Sequence, residues 1–486
     1  MGSASSLLSE PEPKFEVTNT PLRALPNTLF DTDSILFKTL KLPNNNILGI
    51  QHEVQQLTSL EVVDLSHNKI ARVPFQLLEL PRLRCLSLAG NRLQRIYDVN
   101  KATKLQYLDL SENHFKSMLD VHGLFELNKL KNLQMRSNRL TEIPDNISKL
   151  HSLQYLNVEG NDINTIPSTF SNLTNLKTCI MKNNNINAHS GVPLTSLPRI
   201  EHLDIDNNAF HSIFTISIKS MKYISARANC IVSLPERMAP EILEELYLDD
   251  NELNDISNVK FNSMAKLRVL SLRNNHLQTI PDSLGRVFNL ETLDLEGNQI
   301  KDIPENLSWT KMKKINLSKN KLKQFPTQLE KAPQLENLNL SSNTLGDTAT
   351  KTLFSTLQKL KCLNIKNTDS KHIPDGCCNS ENLEELILSD NRQKLSRAVD
   401  LVTERFDSQK WKLLAQFLGI QTEAIDRERI SVKDKLRTMV QAWSEKHQAP
   451  ALIPMMKDKL VQALRVVGDA QLANDIEHIS VQNWTL

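Results

Sequence analysis

The chain has 486 residues, with 58 Lys plus Arg against 56 Asp plus Glu and a net charge of +2, which excludes a bulk electrostatic pull on nucleic acid or an anionic membrane. An apolar fraction of 40% supplies ample core, whereas only 12 glycines argue against a Gly-rich nucleotide fold, and no stretch reaches the ~18 apolar residues of a membrane span. The cysteines Cys85, Cys179, Cys230, Cys362, Cys377 and Cys378 form no disulfide framework or zinc spacing; with no secretory signal in front of them, they point to a reducing, cytoplasmic compartment.

In chain order, Met1-Gly2-Ser3-Ala4-Ser5-Ser6 fits the pattern M-G-x-x-x-[ST], so Gly2 is the expected site of N-myristoylation. A single acyl chain with no polybasic run behind it implies weak, reversible membrane anchoring. Residues 1–24 are expected to be an N-terminal tail and cap, because Leu22–Leu29 contains Leu25-Pro26 without the pattern that follows it. That pattern, L-x-x-L-x-L-x-x-N-x-L, fills residues 25–393 in about 16 copies whose Asn positions lie 21 to 25 residues apart. Clear copies end in Asn91 (Leu83, Leu86, Leu88, Leu93), Asn161 (Leu153, Leu156, Val158, Ile163) and Asn298 (Leu290, Leu293, Leu295, Ile300), while Thr368 replaces Asn once and Asn391 closes the series.

The spelling has a physical logic. L-x-L alternates, predicting a short strand with leucines pointing inward. One such strand cannot bury its own face, so stacked copies must build a parallel sheet with a continuous core. The Asn carboxamide has enough donors and acceptors to satisfy backbone groups where the chain leaves the sheet. The following Ile143-Pro144, Ile166-Pro167, Ile280-Pro281, Ile303-Pro304 and Phe325-Pro326 predict return paths that are extended or 3₁₀ rather than fully α-helical. Irregular stretches are expected at 115–128, at 209–220, and at 346–359, the last reading as a helix. These motifs resemble the leucine-rich repeat family, whose fold is a parallel-sheet horseshoe.

On the concave face, the residue after the last strand leucine runs Arg136, Glu159, Lys182, Asp206, Arg227, Asp249, Arg273, Glu296, alternating in sign. With neighbouring strands about 4.8 Å apart, each charge is expected to sit between two opposites. Tyr107, Tyr155, His202, Tyr223 and Tyr247 stand on the same outward face, where exposed rings serve as anchors for a protein partner.

From residue 394 to 486 the period becomes helical: Ala398, Leu401, Val402 and Phe406 form one stripe, and Val432, Leu436, Met439, Val440 and Trp443 another. Further stripes predict an all-α bundle of about six helices. Trp411-x-x-Leu414-Ala415-x-x-Leu418-Gly419, Met439-x-x-x-Trp443, Leu460-x-x-x-Leu464 and Ala473-x-x-Ile476 resemble a death domain. Ile453-Pro454 and Arg427-Glu428-Arg429 depart from that family. The resemblance implies homotypic docking through charged faces, here Lys433, Lys435 and Arg437 against Asp469, Asp475 and Glu477.

There is no P-loop, Gly-x-Ser-x-Gly, His-Glu-x-x-His or EF-hand loop, so the expectation is a non-enzyme with no cofactor, metal, nucleic acid or small-molecule substrate. The chain as a whole resembles leucine-rich repeat and death domain-containing adaptors. This implies a cytoplasmic scaffold whose repeats hold one protein and whose bundle recruits another death-domain protein, in apoptotic or innate-immune signalling. The alternative is a scaffold of Ras-pathway or polarity type with the bundle as a passive cap. A ligase is a third class and would need thioester formation at Cys377 or Cys378.

Overall fold

The computed structural model describes residues 14–31, 36–187, 197–212, 220–236, 241–345, 356–368 and 382–387. Gly2, Cys377, Cys378, Asn391, most of 346–359, and the segment 394–486 with Lys433, Lys435, Arg437, Asp469, Asp475 and Glu477 lie outside the described residues. The chain divides into two compact units, Met1–Glu252 and Leu253–Leu486. Among the described residues of the first, eleven three-residue strands run from Lys14–Glu16 to Glu245–Tyr247, and among those of the second, six run from Val269–Ser271 to Glu385–Ile387. Within each unit successive strands pair in parallel, so that Leu133, Leu156 and Cys179 stand in one row and Leu293, Ile315 and Leu338 in another. The expected parallel leucine-rich repeat solenoid is therefore present.

Alternation along the strand decides what is buried. In Tyr107–Asp109 the central Leu108 is fully buried and its neighbours are half-buried. The residues that leave the sheet, Leu110, Met135 and Val158, are buried too, so each repeat adds a layer to one core.

The turn out of the strand is secured by the predicted Asn ladder. Asn91 Nδ2 donates to the carbonyls of Leu65 at 3.0 Å, Leu88 at 3.0 Å and Ala89 at 3.2 Å, while its Oδ1 accepts from the Ile70 N–H at 2.9 Å. One side chain thus ties its own turn to the preceding repeat. Asn161, Asn184 and Asn343 repeat the arrangement. Thr368, also buried, bonds its own turn in the same way, from Oγ1 to the Ile365 carbonyl at 2.9 Å.

The residue before each described ladder position is left-handed, including His67 (φ 52), Gly90 (φ 65), Glu112 (φ 53), Gly160 (φ 64), Ala228 (φ 49) and Gly297 (φ 69). Glycine takes this conformation freely, and an alanine there carries steric cost from its Cβ. Ala228→Gly is accordingly expected to raise stability by about 0.5–1 kcal/mol, the relief of left-handed strain less the extra chain entropy of glycine, measurable as a higher urea midpoint at unchanged slope.

The return paths agree with the prolines. Pro144, Pro167 and Pro326 are extended residues at the start of 3₁₀ turns Asp145–Lys149, Ser168–Asn172 and Thr327–Lys331. Among the described residues the α-helical turns are four residues long, Phe75–Leu78 and Asp282–Gly285. The irregular stretch at 115–128 holds two 3₁₀ turns, the first closed by a capping box between Ser117 and Asp120. At the N-terminus, a strand falls within the expected tail and cap: Lys14–Glu16 pairs in parallel with Thr39–Lys41. Asn45 Nδ2 reaches the Val17 carbonyl at 3.0 Å, and Thr20 Oγ1 donates to Asn45 Oδ1 at 2.6 Å, extending the ladder into the cap. Among the described residues no helix is long and apolar enough to cross a membrane.

Candidate protein-interaction face

The outward face of the first unit carries all five expected aromatic positions, half-buried rather than freely exposed, because side chains on adjacent strands crowd one another. Parallel register decides which of them meet. Tyr107 and Tyr155 flank Asn132, and Tyr155 and His202 flank Thr178, so each of those rings has a non-aromatic neighbour. Tyr107 instead bonds within the sheet, accepting from Gln134 Nε2 at 2.8 Å. His202 and Tyr223 are register partners, and their rings stack at 4.0 Å between centroids with 4° between planes. Tyr247 meets Tyr223 at 5.5 Å and 48°. It does so from the last position of its strand, where its register partner is Ser225, and so reaches Tyr223 diagonally across the ladder.

The charge row is realised unevenly. Arg227 sits between two acids as expected, with Nε donating to Asp249 Oδ2 at 2.8 Å and Nη1 3.7 Å from Asp206 Oδ2. Lys182 lies 3.8 Å from Glu159, but its second partner is Asp204 at 3.6 Å, one side chain further back along its strand, rather than Asp206. Arg136 bonds to Glu112, outside the row. Asp206 Oδ1 accepts instead from Ser225 Oγ and the Arg227 N–H, both at 2.6 Å, which turns this carboxylate toward its neighbour strand. In the second unit Glu296 collects Arg273 at 3.4 Å and Lys319 at 2.7 Å. Burial opposes its ionisation, but these cations and Asn316 hold its carboxyl below the usual range.

A second alternating row was not anticipated. It occupies the residue ahead of each strand, where Arg268, Glu291, Lys313, Glu336 and Lys361 follow one another. Glu291 pairs with Lys313 and Glu336 with Lys361, each at 2.9 Å. The signal was legible at that offset, but these pairs are exposed and each contributes only ~0.2–1 kcal/mol.

Arg227 also lies over the Tyr247 ring at 4.1 Å, and Tyr247 Oη donates to Glu245 Oε2 at 2.9 Å. Burial and then the Glu245 bond push the Tyr247 hydroxyl up to about 12, burial raises Tyr223, and burial lowers His202. All three rings are therefore neutral at pH 7 and present stacking surfaces and hydrogen-bonding tips. Asp204 and Glu245, in strand positions that the sequence reading passed over, complete the cluster. Three thiols are held protonated: burial, then Asp64 and Asp109, push Cys85 up to about 12, burial and then Asp204 raise Cys179, and burial and Glu385 push Cys362 up to about 11. No group of His, Cys, Asp and Glu among the described residues is arranged to hold a metal.

Repeats stacked in parallel with an outward face of half-buried rings and ion pairs form a protein-interaction scaffold fold. Family profiles match accordingly: a leucine-rich repeat region over residues 87–222, leucine rich repeats over 37–93 and 242–300, and a two-copy leucine-rich repeat over 289–331. Together these fall on more than half of the chain, which belongs to the leucine-rich repeat proteins. It is 25% identical over 293 residues to adenylate cyclase of Schizosaccharomyces pombe, covering 58% of this chain and 16% of the cyclase. Against lumican of Homo sapiens it is 28% identical over 239 residues, covering 47% of this chain and 62% of lumican. The leucine-rich repeat ectodomain of the Arabidopsis thaliana receptor kinase GASSHO1/SCHENGEN3 superposes with a TM-score of 0.60 at 24% identity, covering 78% of this chain and 47% of that one. This chain spans less than two thirds of the length of each of these proteins, and the likeness to the ectodomain is one of fold.

Proposed function

We propose that this protein is a cytoplasmic signalling adaptor without catalytic activity or cofactor, in which the repeats hold a protein partner on their outward face and residues 394–486 form a death domain that assembles with another. The observation that carries the first half is the ring and ion-pair cluster of His202, Tyr223, Tyr247 and Arg227, since clustered, partly desolvated aromatics and arginine are the usual energetic centre of an interface. The second half rests on the helical stripes and on the Trp411, Leu418-Gly419 and Trp443 pattern. By that resemblance the output is apoptotic or innate-immune signalling. Gly2 acylation would add weak membrane attachment.

The test compares the full chain with a chain ending at residue 393 and with a Lys433→Glu/Lys435→Glu variant, in co-precipitation with death-domain proteins at low and high salt. We expect capture by the full chain, at least tenfold loss in both altered chains, and weakening with added salt, because the docking charges are solvent-facing before contact. Equal capture by all three would favour the passive-cap scaffold.

A further inference from the structure

The outward face of the first unit is not electrostatically uniform. Over the seven strands from Thr39–Lys41 to Thr178–Ile180, and the outward residue after each, Lys41, Arg136 and Lys182 balance Asp64, Asp109 and Glu159. Over the next three, His202–Asp204, Tyr223–Ser225 and Glu245–Tyr247, the carboxylates Asp204, Asp206, Glu245 and Asp249 face Arg227. Lys182 approaches only the edge of this group, at Asp204. The same three strands are where the rings of the face touch one another. Negative charge and aromatic surface therefore coincide at one place.

Arg227 shows how a cation is held there: its guanidinium lies over Tyr247, bonds to Asp249 and approaches Asp206. A planar guanidinium suits this setting because it stacks on a ring and donates to carboxylates at its edge at the same time. Arg227 is engaged by Asp249 and Asp206, so on these strands Asp204, with Lys182 at its edge, and Glu245, bonded to Tyr247, are the carboxylates that a further cation can meet. In keeping with this, burial and then the neighbouring Asp206 raise the Asp204 carboxyl above its ordinary value.

Building on the interaction-face reading above, we propose that the patch formed by His202, Tyr223, Tyr247, Asp204 and Glu245 is a docking site for an arginine-bearing segment of the partner protein. A partner guanidinium packs against the His202–Tyr223 stack and is neutralised by Asp204 and Glu245, beside the guanidinium that the chain itself supplies. Lysine fits less well, since an ammonium neither stacks nor bridges two carboxylates in one plane.

The test is a fluorescence-anisotropy titration of the full chain with three labelled peptides of equal length and spacing, carrying Arg, Lys or Glu at the same positions. Arg peptide should bind at least threefold more tightly than Lys peptide, and Glu peptide should not bind. Tyr223→Ala and the pair Asp204→Asn/Glu245→Gln should each cost at least tenfold, and the pair should flatten the salt dependence. Tyr223→Phe, which keeps the ring, should retain affinity and so separates stacking from misfolding. Asp64→Asn, on the balanced part of the face, should leave affinity unchanged. Equal binding of Arg and Glu peptides, no binding of Arg peptide, or equal losses in Asp64→Asn and Asp204→Asn/Glu245→Gln would overturn the proposal. If Arg peptide fails while a protein partner is still captured and released by Tyr223→Ala, the interaction-face reading stands and the arginine assignment alone falls.

Discussion

Asn161→Ala is expected to destabilise the first unit by about 3–5 kcal/mol, a large effect for a side chain with no apolar surface to lose. Asn161 is buried, and its Nδ2 donates to Met135 at 3.0 Å, Val158 at 2.9 Å and Glu159 at 3.3 Å, while the Leu140 N–H donates to its Oδ1 at 3.0 Å. Truncation strands the buried Leu140 N–H at about 1–3 kcal/mol, takes one of two donors from each of the carbonyls of Met135, Val158 and Glu159, which keep Asn138, Asn184 and the Ser137 N–H, and leaves a space between two repeats. Asn161→Thr should cost about half as much, since Thr368 occupies a ladder position with a hydroxyl that bonds its own turn. Urea unfolding and hydrogen exchange at the Leu140 amide would report the loss. A variant within about 1 kcal/mol of the parent would mean that water replaces the carboxamide and the ladder is not a stability element.

Trp309→Ala is expected to cost the second unit about 3–5 kcal/mol, at the upper end for a core aromatic. Trp309 is fully buried and its Nε1 donates to the Leu284 carbonyl of the preceding repeat at 3.2 Å. It lies between Pro304 and the strand Lys314–Asn316, where neighbouring repeats place a short helical turn. The indole fills that space and supplies a hydrogen bond, so its removal opens a cavity and forfeits that bond, although the Leu284 carbonyl keeps the Val287 N–H. Trp309→Phe should cost about 1–2 kcal/mol, keeping most of the ring and losing the bond. Thermal melts of both variants decide it: equal losses would assign the effect to the hydrogen bond, and a negligible loss for alanine would mean that the repeat collapses into the gap.

The ladder and the strands were legible because each repeat is a local unit repeated at nearly fixed spacing, so the inward leucines and the carboxamide recur in the sequence as they recur in space. The N-terminal strand Lys14–Glu16 was not, since Lys-Phe-Glu carries no leucine pattern and joins the sheet only because Thr39–Lys41 offers an edge. Division of the array between Glu252 and Leu253 likewise has no mark in the sequence. The candidate face was half legible. Its rings were identified by offset from the strand leucines, but Tyr155 and Tyr223 look alike in sequence. Only register separates them, placing Tyr223 beside His202 and Tyr155 between Asn132 and Thr178.

By itself, then, the sequence determined the repeat class, the inward core and the Asn ladder, because hydrophobic period and carboxamide chemistry act within a single repeat. Tertiary structure decided which outward side chains act together: the stack of His202 on Tyr223, the diagonal approach of Tyr247, the choice of Asp204 by Lys182, and the crowding that half-buries the rings and buries Asp204. Those outcomes depend on side-chain reach across strands that are some twenty residues apart in the chain and about 4.8 Å apart in space, a distance at which rotamer and neighbour, rather than spacing in the sequence, select the partner.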